Sequence, residues 1–119
     1  FLSRSIDIAL KAGVNRDKIF IDPGIGFGKT HDQSFELVRR LAELKQALGF
    51  PLLLGISRKR FIGFATTRTI AAERMIGSVA ADVYGALHGA DIVRVHDVAA
   101  HVEAFAVLNA ILGKGTERR

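Results

Sequence analysis

No cysteine occurs in the 119 residues, which removes disulfide frameworks and thiolate metal sites from the possibilities at once. A reducing cytoplasm suits such a chain, and that is the expected location. Aromatic content is low at 8%, with no tryptophan, and no long basic run is present, so nucleic acid is not an expected partner. No apolar run approaches the roughly 20 residues of a membrane span, and no signal-peptide pattern opens the chain; no membrane partner is expected. The chain opens on Phe1 rather than methionine, which hints at a fragment.

Two nucleotide-binding patterns are also missing. Gly28-Lys29-Thr30 resembles the end of a phosphate-cradling P-loop, but that motif needs a glycine where Pro23 stands, and proline has no N–H to offer a phosphate. The dinucleotide pattern begun by Gly24 and Gly26 would put its third glycine on Lys29. There is no Ser/His/Asp order typical of a hydrolase elbow and no closely spaced metal-ligand pair.

What is present reads as one modest domain, with 49% hydrophobic and 24% charged residues, as is ordinary for a soluble globular protein. Seventeen basic against twelve acidic residues give a net charge of +5. That excess suits small anionic substrates. Arg58 and Arg60 read as a solvated face, and Arg118 and Arg119 as a basic tail.

Residues 2–12 predict a helix with Ile6, Ala9 and Leu10 on one face and Gly13 as its stop. Ile19 to Asp22 predicts the first strand. Phe35, Val38, Leu41, Leu44 and Leu48 predict one helix ending at Gly49, and Leu52 to Leu54 a second strand closing at Gly55. A short helix passes through Phe61 and Ile62, and Thr66 to Thr69 read as a mobile loop. A long helix from about Ala72 places Met75, Val79, Val83 and Leu87 on one face. Asp91 to Val95 form the third strand. Val98, Val102, Phe105, Leu108 and Leu112 mark a last helix that Asp97 could cap, and a polar tail frays after Gly113. Near-continuous apolar strands alternating with amphipathic helices predict an α/β fold with three parallel strands.

Each strand ends in chemistry. Asp22 and the loop Pro23-Gly24-Ile25-Gly26-Phe27-Gly28-Lys29 follow the first; Ser57, Arg58 and Lys59 the second; Arg94, His96 and Asp97 the third. Active sites of α/β folds gather at carboxyl ends of strands. Asp22 can accept paired N–H donors from a flat heterocycle, or can cap its own loop. Lys59 supplies a mobile charge, and Arg94 a plane that stacks on a ring and forks onto phosphate. Ser57 and the amides after it could hold a carboxylate or phosphate. His96 could donate to phosphate, act as a general acid, bind a metal, or be an ordinary hydrogen-bonded residue. Phe27, between two glycines, could cover an aromatic ligand or dock on the next helix. His31, His88 and His101 receive no role.

Ile21-Asp22-Pro23-Gly24-Ile25-Gly26-Phe27-Gly28-Lys29, Gly55-Ile56-Ser57-Arg58-Lys59 and Arg94-Val95-His96-Asp97, in this order and spacing, resemble the dihydropteroate synthase family. The resemblance implies a TIM (β/α)₈ barrel of about 250 residues, of which residues 1–119 would be the carboxyl-terminal part, strands six to eight with their helices. It implies a transferase of folate biosynthesis that joins 4-aminobenzoate to 6-hydroxymethyl-7,8-dihydropterin diphosphate and releases pyrophosphate. Asp22, Lys59 and Arg94 would bind the pterin and carry catalysis. Phe27, Ser57 and Lys59 would border the aminobenzoate, where sulfonamides also sit, and Arg94 with His96 would hold the diphosphate. Magnesium is expected for the family, with ligands outside this chain. A homodimer, or association with the missing half-barrel, is the expected assembly, and the fragment by itself is expected to be inactive. A pterin-binding methyltransferase domain and a non-catalytic half-barrel partner are the rival readings.

Overall fold

The computed structural model describes residues 2–114; the expected frayed tail and its basic end lie largely outside them. Helix α1 (Leu2–Lys11) turns Ile6 inward and stops before Gly13, whose φ of +91° favours glycine. The first expected strand shrinks to one residue. Ile21 alone bridges to Leu52: its N–H donates to the Pro51 carbonyl at 2.8 Å, and its carbonyl accepts from Leu53 at 2.7 Å. Pro23, lacking an N–H, cannot extend that ladder. Strands β1 (Leu53–Leu54) and β2 (Ile92–Val93) are parallel, with Leu53 opposite Ile92 and Leu54 opposite Val93. Three expected strands are thus two strands and a single bridge among the described residues, with β1 in the middle.

Leu52, Leu54 and Ile56 are fully buried, forming the core with Leu41, Ile25, Phe61 and Ile62. Helix α2 (His31–Arg39) starts with a capping box between Thr30 and Gln33. The single helix expected through Leu48 breaks at Arg40 (φ −101°, ψ 21°), and α3 (Leu41–Leu48) follows. At the break the Tyr84 hydroxyl donates to the Arg39 carbonyl at 3.3 Å, a group that helix continuation would otherwise use. Helix α4 (Arg60–Thr66) buries Phe61 and Ile62.

The predicted mobile loop after Thr66 is tied down. Arg74 spends its guanidinium on three carbonyls, those of Arg58 (2.9 Å), Arg68 (2.9 Å) and Thr69 (2.8 Å). Arg74→Met is expected to cost about 1–2 kcal/mol and to speed amide exchange at Arg68, whose N–H donates to Gly63. Unchanged exchange there would show that the backbone holds the loop without the clip.

The last two helices bury only part of the faces expected. In α5 (Met75–Leu87) the inward row is Ser78, Asp82 and Gly85; Val79 and Val83 flank it, while Met75 and Leu87 are exposed. The reason is closeness: a Cβ on Gly85 would stand 2.3 Å from Leu54 Cδ2, so only small residues let α5 lie on β1. In α6 (Val98–Ile111) His101 is buried and the expected Phe105 and Leu108 are half-buried, whereas Val98, Val102 and Leu112 beyond its end are exposed. None of the helices among the described residues is long and apolar enough to cross a membrane.

Candidate functional site

Parallel register and the two-residue period of a strand place the strand-end residues on one side. Ile21, Leu52, Leu54 and Val93 point toward the helices, so Asp22, Gly55, Ser57, Arg94 and His96 share the opposite face. Contacts agree with this. The Arg94 guanidinium lies so close over Gly55 that a Cβ there would be 2.5 Å from it, and the Ser57 hydroxyl is 2.9 Å from His96 Nδ1 and accepts the His96 N–H at 3.2 Å. Asp22, Arg94 and His96 are exposed on that face, whereas Ser57 is buried.

Lys59 joins them from the turn. Its Nζ donates to the Ile25 carbonyl at 2.5 Å and stands 4.2 Å above the centre of the Phe27 ring. Its stem runs along Gly26, where a Cβ would be 3.0 Å from Cδ; φ of +89° there also favours glycine. Burial lowers the Lys59 ammonium pKa; Asp22 opposes this, while Arg94 and Lys29 add to it. Those couplings set the aspartate, both lysines and the arginine in one electrostatic neighbourhood. Lys29, given no role in the sequence analysis, clamps the glycine loop by donating to Gly24 O (2.9 Å) and Phe27 O (3.2 Å).

Phe27 is 66% exposed and does not dock on the following helix; its ring forms one wall of a cleft of about 360 Å³ whose other lining includes Lys59, His31, Ser34, Phe61 and Arg74. His31, also unassigned, stacks on Phe64 at 4.7 Å. A larger hollow of about 800 Å³ between α1 and the α2–α3 pair takes Pro23 and Lys29 of the glycine loop into its lining. Asp22 does cap its own loop, accepting the Gly24 N–H on Oδ1 at 2.8 Å. That contact uses one oxygen, and the exposed carboxylate can still receive donors on the other.

Three expectations are corrected here. Arg58 is not part of a solvated face: its guanidinium forks onto Asp97 at 2.8 and 3.2 Å, with φ of 59°. Asp97 therefore makes no side-chain cap for α6, and its carboxyl lies below the usual range because Arg58 donates to it. The amides after Ser57 are not waiting for an anion either, since Arg58 N–H donates to Ser78 Oγ (2.8 Å) and Lys59 N–H to Ile56 O (3.2 Å). Arg60 is exposed, as expected.

The sequence reading also missed a buried pair. His101 Nε2 is 2.7 Å from Asp82 Oδ2, and His101 Nδ1 is 2.8 Å from the Asp97 carbonyl. Burial pushes Asp82 up to about 6. The available signal was that Asp82 is the single charge in thirteen residues of α5.

Known proteins resemble this chain in sequence and in fold. The chain is 47% identical over 111 residues to a dihydropteroate synthase of Synechocystis and 42% identical over 109 residues to that of Escherichia coli, covering 93% and 92% of itself but 38% of each relative. It spans about two-fifths of the curated relatives it matches. A dihydropteroate synthase of Xanthomonas albilineans solved with 4-aminobenzoic acid superposes with a TM-score of 0.93 at 43% identity, over 97% of this chain and 42% of that one. The same enzyme has been solved with 7,8-dihydropteroate, again with a TM-score of 0.93. The model of the family described as pterin binding enzyme matches residues 1–96, so that two of the strand-end motifs and the third as far as His96 lie within the match, and the chain belongs to that family.

Proposed function

We propose that residues 1–119 are the carboxyl-terminal part of a dihydropteroate synthase barrel, strands six to eight with their helices. The reaction joins 4-aminobenzoate to 6-hydroxymethyl-7,8-dihydropterin diphosphate and releases pyrophosphate. The observation that carries this reading is the single face shared by Asp22, Arg94 and His96, with Lys59 reaching over the glycine loop that follows Asp22.

The pterin's ring amide and amino group present parallel N–H donors, and the free oxygen of Asp22 and its neighbour suit them. Lys59 contacts a polar edge of the ring. As pyrophosphate departs, cationic character grows on the pterin, where Asp22 offsets it through the ring, while Arg94 and His96 stabilise the leaving anion. Arg94 also offers its guanidinium plane for stacking. The amine of aminobenzoate attacks the exocyclic methylene from the cleft beside Phe27 and the Lys59 stem. The C–O bond to the diphosphate breaks as the C–N bond forms, and the amine sheds a proton. Ser57, whose hydroxyl is engaged with His96, meets the aminobenzoate carboxylate only by sharing that bond. Sulfonamides would occupy the same cleft.

Among the described residues no three His, Asp or Glu side chains gather to hold a metal ion. No step here runs through a metal. Any magnesium would rest on the other part of the barrel. That part would also cover Phe20 and Ile92, which are exposed beside the strands, and the exposed face of α6 would suit a homodimer in the cytoplasm.

A steady-state assay tests the reading. The chain alone is expected to give no turnover or a trace, and addition of an amino-terminal half is expected to restore it. Robust turnover by the chain alone would contradict the half-barrel assignment. No recovery on mixing, with binding of both substrates intact, would favour a non-catalytic assembly role. Pterin binding indifferent to 4-aminobenzoate would favour a methyltransferase.

A further inference from the structure

Behind the site, the turn carrying Ser57 and Lys59 is held by a line of polar contacts that reaches the last two helices. Arg58 sits between those two residues in the left-handed region, a conformation that costs a non-glycine residue about 1–2 kcal/mol. Something must hold it there. Its N–H donates to Ser78 Oγ, its carbonyl accepts from Arg74, and its guanidinium forks onto Asp97. Asp97 directly follows His96, and the Asp97 carbonyl faces His101 Nδ1 at 2.8 Å. His101 Nε2 then meets Asp82 on α5, and both side chains are buried.

The protons on this line can be placed. A carbonyl cannot donate, so Nδ1 of His101 carries a hydrogen. The contact between Nε2 and Asp82 then holds a second proton, on one partner or the other. Asp82 Oδ1 is buried without a hydrogen-bond partner. Such a pair is a poor means of simply joining α5 to α6, because well-packed apolar side chains would do that at no desolvation cost. Direction is what it adds: His101 can bond the Asp97 carbonyl only with its ring in one orientation.

We propose, resting on the function proposed above, that Asp82, His101, Asp97 and Arg58 form one positioning relay. It sets the Ser57–Lys59 turn against the Arg94–His96 strand end, so that the pterin-facing lysine and the anion-facing residues meet one ligand. The four residues act through Ser57, Lys59 and His96 rather than by contact with the reacting atoms. Small displacements of such a turn are costly, since the catalytic groups must be held within a fraction of an ångström.

The test uses the full chain, with ¹⁵N-labelled histidine and inorganic pyrophosphate as the probe. In Asp82→Ala and in Arg58→Lys, the His96 ring nitrogen shifts are expected to move as the contact between His96 Nδ1 and Ser57 Oγ loosens. Pyrophosphate affinity is expected to fall about tenfold. Asp82→Asn, whose amide N–H can donate to Nε2 as the acid does, is expected to leave the His96 shifts in place and the affinity within about twofold. Lowered melting temperature in Asp82→Ala and Arg58→Lys, with His96 shifts and affinity unchanged, would overturn the relay and leave the pair as a tie between helices. If Asp82→Ala does not fold, Arg58→Lys decides, since it keeps the charge and loses only the fork. Failure of the unsubstituted chain to bind pyrophosphate would instead count against the diphosphate reading of Arg94 and His96. The His96 ring nitrogen shifts in Arg58→Lys would still decide the relay.

Discussion

Asp22→Asn is expected to weaken pterin binding about a hundredfold or more while leaving the loop that follows intact. The carboxylate has two oxygens, and the Gly24 N–H occupies Oδ1. An asparagine can preserve that bond through its single carbonyl oxygen, so the turn through Pro23 and Gly24 survives. What it cannot do is accept paired donors from a ring, because its other terminus is itself a donor. Two charge-assisted hydrogen bonds are worth about 1.5–3 kcal/mol each, and losing one while opposing another exceeds about 3 kcal/mol. That corresponds to about two powers of ten in affinity. Calorimetric titration of the chain with a soluble hydroxymethylpterin measures it, with circular dichroism to confirm the fold. If Asn is tolerated with unchanged affinity, Asp22 is a loop cap and no more, and the pterin reading of the shared face loses its anchor.

Much of that face was legible in the sequence, for a reason that lies in strand geometry. A residue at the end of an apolar run is delivered to the edge of a sheet whatever the run's exact length, so Asp22, Ser57 and Arg94 could be placed before any register was known. The glycine loop was legible too, because close approach of the Lys59 stem to Gly26 excludes a side chain. Strand lengths were not legible. Apolar character at Ile19 and Phe20 signals a buried strand, but pairing needs a neighbour, and Ile21 finds one only on the Leu52 side. The faces of α5 and α6 were misread because periodicity assumes that apolar residues turn inward. Here small size decides contact at Gly85, and a polar pair fills the space between the helices. Arg58 and Asp97 lie 39 positions apart, so their fork left no local pattern to find.

The same buried pair sets the pH dependence expected of stability. Asp82 has its carboxyl raised from the ordinary 3.8 to about 6 by burial. In the unfolded chain it loses its proton first, so between those values the folded state binds more protons. Stability from this group is therefore fully present below about pH 4 and is lost as pH rises through about 6, by about 3 kcal/mol. Asp97 and Asp91, both lowered, act in the opposite sense and lose their contribution as pH falls below the ordinary carboxylate range, so the raw curve mixes the two. Asp82→Asn removes the titration while keeping a donor for His101. The difference between the two proteins isolates it. Urea unfolding of both from pH 3.5 to 7 is expected to show the unsubstituted chain losing stability relative to Asp82→Asn across pH 4 to 6, and then running parallel to it. A difference that stays flat would mean that folding leaves the Asp82 carboxyl unshifted, and one that grows in favour of the aspartate as pH rises would mean that the fold holds it as carboxylate.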